Sequence, residues 1–156
     1  MGLEVNNIER RTRRAPRTSG PPPAVLAWLR LARVFAKVDR ASAQHLRHWG
    51  LSVAQFDVLA QVGAAEGLSQ QELAAKLLVT KGNVTQLLDR MQRDGLIVRC
   101  QEGRTNCLFL TEKGHRLFDA VLPAQEALIA AQLAPLSGQE QRQLLTLLRT
   151  LDHTLG

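Results

Sequence analysis

Between residues 68 and 110 the spacing of apolar side chains changes from a helical period to a period of two. That switch constrains the fold more than any other feature of the sequence. Ser69-Gln70-Gln71-Glu72 has the form of a capping box, in which the serine oxygen accepts from the amide three residues on and the glutamate reaches back. Leu73, Ala74 and Leu77 give this helix a buried face, and Leu78-Val79 supplies a turn. Thr80 then caps a second helix, from Lys81 to about Asp94, which Gly95 ends. Beyond Gly95, Leu96-Ile97-Val98-Arg99-Cys100 and Cys107-Leu108-Phe109-Leu110 read as strands. Gly103 marks the tip of a hairpin around Gln101-Glu102-Gly103-Arg104-Thr105-Asn106, with Arg104 projecting from it. Helix, turn, helix and basic-tipped hairpin make a winged helix-turn-helix.

The flanks are helical. Val25, Trp28, Leu31, Ala32, Phe35 and Val38 recur at spacings of three and four, predicting a helix from Ala24 to about His48 that stops at Gly50. Ser52 caps a shorter helix with Phe56, Leu59 and Val62 on one face, ending at Gly63. Leu117 to Leu133 fit a long helix that Pro123 bends. Pro135 and Gly138 interrupt it, and Ser137 caps a last helix rich in leucine from Leu144 to Leu155. The expected fold is therefore mainly α with a small β-hairpin wing. A winged helix-turn-helix core over residues 51–112 is flanked by long dimerisation helices at 24–50 and 113–156. Their apolar area is hard to bury in an extended 156-residue monomer, which points to a homodimer.

Charge narrows the partner. Lys and Arg total 20 against 14 Asp and Glu, for a net charge of +6, a balance that favours nucleic acid. Residues 1–23 carry Arg10, Arg11, Arg13, Arg14 and Arg17 against Glu4 and Glu9, then end in three prolines, and read as a disordered basic arm. No signal peptide or membrane span is expected, and a cytoplasmic location is.

Within the second helix, Val84, Leu87, Leu88 and Met91 form an apolar stripe that must pack inward. Thr80, Lys81, Asn83, Thr85 and Gln86 are left outside to meet base edges and phosphates in a major groove, with Arg90 on a phosphate. Gly82 removes a side chain where the DNA backbone approaches, and Arg104 suits a narrow minor groove. The expected partner is double-stranded DNA.

These residues resemble the MarR family of bacterial transcription regulators. The resemblance runs through Leu51-Ser52-Val53-Ala54-Gln55-Phe56-Asp57-Val58-Leu59 and Leu68-Ser69-Gln70-Gln71-Glu72-Leu73-Ala74. It continues through Val79-Thr80-Lys81-Gly82-Asn83-Val84-Thr85, Leu87-Leu88-Asp89-Arg90-Met91, Gly95-Leu96-Ile97 and Leu110-Thr111-Glu112-Lys113-Gly114. It implies a homodimer on a pseudo-palindromic operator, more often a repressor than an activator, released by a small-molecule effector or by oxidation. It also implies an effector pocket near the first two helices, where Arg33, His45, Trp49 and Asp57 are the candidates. The wing departs from the family's pattern: Glu102-Gly103-Arg104-Thr105 replaces an Asp-x-Arg-Ser/Ala tip in a longer loop.

A four-residue loop would set Cys100 opposite Cys107, so a thiol-based redox-sensing repressor is one alternative. A nonspecific DNA binder and a protein-interaction module that retains the winged fold are others. His45 and His48 lack the cysteine or acidic company a metal site needs, so no metal and no cofactor are expected. No phosphate loop, nucleophile elbow or zinc-protease motif occurs, so no catalytic residue is assigned.

Overall fold

The computed structural model describes residues 20–77, 81–103 and 105–155. The N-terminal arm up to residue 19, the turn at Leu78-Val79, Thr80 and Arg104 lie outside them. Six helices and three strands follow the order α1 (Pro23–Arg47), α2 (Val53–Ala64), β1 (Leu68–Ser69), α3 (Gln70–Lys76), α4 (Lys81–Arg93), β2 (Ile97–Glu102), β3 (Thr105–Leu110), α5 (Glu112–Leu133) and α6 (Gly138–Leu155). The chain divides into two units, Met1–Val34 and Phe35–Gly156. The described residues of the first are all exposed and form the N-terminal part of α1, which opens on Pro23, a residue suited to a first helical position.

The second unit holds the core. Leu46 of α1, Val58, Leu59 and Val62 of α2, Leu73 of α3, Val84, Leu88 and Met91 of α4, and Val121 of α5 are fully or almost fully buried. Ile97 and Leu108 close it from the sheet. The capping boxes at Ser52 with Gln55 and at Ser69 with Glu72 are both formed, so each helix starts where its serine sits. In the second box, hydrogen bonds from the Ser69 hydroxyl and amide hold the Glu72 carboxyl below its ordinary range. Helix α1 ends with Leu51 N–H bonded to Leu46 O (3.0 Å), and α4 ends the same way with Leu96 N–H bonded to Met91 O (2.9 Å). Gly95, at φ +70°, makes the second reversal at no steric cost.

Two expectations are corrected. Helix α2 passes through Gly63 and ends at Ala64. The missing side chain at Gly63 makes room for the Phe118 ring, which a Cβ would meet at 2.9 Å, so this glycine serves packing and not termination. The hairpin loop is two residues, not four: Glu102 pairs with Thr105, so only Gly103 and Arg104 lie between the strands, while Cys100 still pairs with Cys107. The long C-terminal helix begins at Glu112, where Thr111 caps it. A third strand, β1, is added by pairing Leu68 with Leu108 and Ser69 with Cys107. At two residues it is too short to show a period.

The start of α5 is bound tightly to the end of α4. The Thr111 hydroxyl donates to Gly95 O (2.6 Å) and accepts from Gly114 N–H (2.9 Å), while Thr111 N–H bonds Leu96 O (3.0 Å). Lys113 Nζ donates to Asp94 O (2.7 Å), satisfying a carbonyl just past the end of α4. Gly114 is buried, and a Cβ there would overlap the Leu96 carbonyl oxygen, which is backbone and cannot give way. Replacing Gly114 with Ala is expected to destabilise the protein by more than about 2 kcal/mol. Urea unfolding measures this, and an unchanged midpoint would contradict the close approach.

Candidate nucleic-acid interface

Helix α4 sorts by face as its sequence requires. Val84, Leu88 and Met91 are buried and Leu87 is partly so, while Asn83, Thr85, Gln86 and Arg90 are all exposed. Lys81 and Gly82 occupy the first turn of the same helix. Of the eight residues expected at DNA, the structure therefore sets four on one exposed face and two at the N-terminal end of that helix. The other two, Thr80 and Arg104, lie outside the described residues.

Two contacts missed in the sequence hold this face in place. Arg99, on β2, reaches across to α4: its Nη1 donates to Asp89 Oδ1 (2.6 Å) and Gln92 Oε1 (3.3 Å), and its Nη2 to Thr85 O (3.4 Å). The guanidinium thus ties the wing to the helix and neutralises Asp89, leaving Arg90 and Arg93 as the cations of the last turn. Gln70, at the start of α3, donates from Nε2 to Thr85 Oγ1 (3.1 Å). With Gln71, Thr105 and Asn106 it borders a polar cleft between α3, α4 and the wing. Nothing in the local period flags Arg99, because its partners stand on the far side of the Gly95 reversal. Its polarity in an otherwise apolar strand was the available signal.

The candidate effector residues separate. Asp57 lines a cavity of about 670 Å³ walled by the C-terminal part of α1, by α2 and by α5. His45 and Trp49 do not line it, and Arg33 is exposed on the N-terminal part of α1. His48 turns back on its own helix, its Nδ1 lying 3.0 Å from Gln44 O. Gln125 and Ser42, both buried, also line the cavity, and neither stands out in the sequence. Cys100 is exposed and Cys107 buried, at directly opposed positions of the wing. Among the described residues no cluster of three metal-ligating side chains occurs, and no single helix is long and apolar enough to cross a membrane.

Burial raises the Asp57 carboxyl above its ordinary range, and the Gln61 amide, 3.5 Å away, lowers it by less. A carboxyl with a raised folded pKa favours the fold most below its unfolded value, near pH 4, and this advantage is lost as pH rises through the folded value. Asp57→Asn is therefore expected to raise the melting temperature at pH 7 by about 2–4 °C, with the difference vanishing towards pH 4. Thermal unfolding at the two pH values checks this, and a less stable variant at pH 7 would contradict it.

A model of the MarR family matches residues 49–105, from Trp49 to the start of β3. An uncharacterized HTH-type transcriptional regulator of Bacillus cereus is 36% identical over 128 residues, covering 82% of this chain and 87% of the relative. The HTH-type transcriptional repressor MdtR of Bacillus subtilis is 30% identical over 118 residues, covering 74% of this chain and 76% of the relative. The crystal structure of a Mycobacterium tuberculosis MarR family protein in complex with salicylic acid superposes with a TM-score of 0.66 at 26% identity, covering 85% of this chain and 98% of the other.

Proposed function

The chain belongs to the MarR family of DNA-binding transcription regulators, and from that premise we propose that it acts as a homodimeric repressor released by a small-molecule effector. The observation that carries the reading is the face of α4, where Asn83, Thr85, Gln86 and Arg90 stand in solvent above a stripe of buried Val84, Leu88 and Met91. Short polar side chains on a rigid helix suit the edges of base pairs, and a guanidinium at the end of the row suits a phosphate.

The dimer is supported by what the ends of the chain leave uncovered. Helix α6 buries none of its residues, and Leu147, Leu151 and Leu155 are more than half exposed. On α1, Trp28 is 65% exposed. Apolar stripes of this length call for a partner, and a second copy provides one with the two-fold symmetry that a pseudo-palindromic operator matches. Repression is supported by the Bacillus subtilis repressor, and a small-molecule effector by the salicylic acid complex of the Mycobacterium protein. The effector acts by changing the distance between the two reading helices, so that one leaves its groove when the other is seated.

The test separates phosphate contacts from base contacts on one operator. Arg90→Ala, present twice in the dimer, is expected to flatten the dependence of log affinity on log salt by roughly 2. Asn83→Ala is expected to leave that slope unchanged and to cost about 1–3 kcal/mol of discrimination between operator and random duplex. Fluorescence anisotropy titrations at several salt concentrations read both quantities. An unchanged slope with Arg90→Ala, together with unchanged discrimination with Asn83→Ala, would overturn the assignment of this face.

A further inference from the structure

The cavity beside Asp57 has a chemical character of its own. Val38, Leu46, Val53, Phe56 and Ile129 make its walls apolar, and its volume suits a small organic molecule. Of its polar groups, the Asp39 and Asp57 carboxylates can only accept, while Ser42, Gln61 and Gln125 can both donate and accept. Gln125 is only 3% exposed, and its Oε1 is buried with no hydrogen-bond partner, an arrangement that costs free energy until a donor arrives. The Asp57 carboxylate is partly buried and among the described residues is hydrogen-bonded only by the Gln61 amide, and Asp39 adds a second, exposed carboxylate. Among the described residues Lys76 is the one cation on the lining, and it is exposed near the end of α3. The cavity therefore offers an apolar body with a lining on which two carboxylates outnumber the one lysine.

We infer that this cavity takes a small apolar organic cation, a protonated aryl-alkyl amine, with the Asp57 carboxylate as its counter-ion and the Gln125 carbonyl oxygen as a second acceptor. An ammonium supplies up to three N–H donors, enough for both oxygens at once, and an aryl tail fills the apolar volume. An aromatic carboxylate of the same shape brings no donor and places like charges together in a poorly solvated site. The consequence for DNA rests on the effector-release reading above; binding in the cavity does not.

Three probes with one carbon skeleton test this on the full-length protein: 4-phenylbutylamine, 4-phenylbutanol and 4-phenylbutyrate, titrated by calorimetry without DNA. The amine is expected to bind at least about tenfold more tightly than the carboxylate, with the alcohol between them. Asp57→Asn is expected to remove most of the amine's advantage and to leave the alcohol unaffected. Gln125→Met, which keeps an apolar side chain of similar length, is expected to weaken the amine on its own should the first variant fail to fold. Carboxylate binding as tight as amine binding, no amine binding at millimolar concentration, or an amine affinity indifferent to both substitutions would each overturn the inference. Operator binding with the amine present is then measured separately. Amine bound without DNA release supports the cavity's specificity and contradicts effector release, so the two failures are distinguishable.

Discussion

The hydroxyl of Thr111 closes the joint between α4 and the long helix α5. It donates to Gly95 O at the reversal after α4 and accepts from Gly114 N–H in the first turn of α5. Around it, Leu96 O receives Thr111 N–H, and Lys113 holds Asp94 O. Carbonyls at the end of a helix lack intrahelical partners, and here the neighbouring helix supplies them. The joint is possible only because position 114 carries no side chain. Within the second unit, the orientation of α4 is thus set by α5 as directly as by its own buried stripe.

That arrangement connects the cavity, through α5, to the helix that carries the exposed polar face. Gln125 and Ile129 line the cavity from α5, and Val121, one turn before Gln125, is fully buried in the core. A molecule that engages Gln125 touches the same helix whose first turn is bonded to the end of α4. The wing is tied to α4 by Arg99. In the proposed mechanism no element has to unfold: a small change of angle at α5 is enough to alter the distance between two reading helices in a dimer.

Most of the architecture was legible because local rules and global packing agree in this chain. The capping box at Ser69, the N-cap at Ser52, the stripe on α4 and the glycine after it each name their own boundaries, and the structure keeps them. What the sequence hid depends on contacts between segments far apart. Gly63 reads as a stop until Phe118, 55 positions later, is seen to fill the space above it. Strand β1 exists only because β3 returns alongside it. The hairpin is tighter than its composition implies because Glu102 and Thr105 are paired within the ladder. For the site, the exposed face of α4 follows from periodicity, whereas Arg99, Gln70 and Gln125 acquire meaning only from partners on other elements. Among the effector candidates, Asp57 alone lines the cavity.

The central claim is that two copies of this chain read duplex DNA through α4, in a symmetric arrangement fixed by the helices that flank the core. Recovery of bound duplexes from a random-sequence pool, followed by sequencing, tests it most directly. An inverted repeat with half-sites about one or two helical turns apart is the predicted result. A pool with no enriched sequence, or one enriched in a single unrepeated half-site, would contradict it.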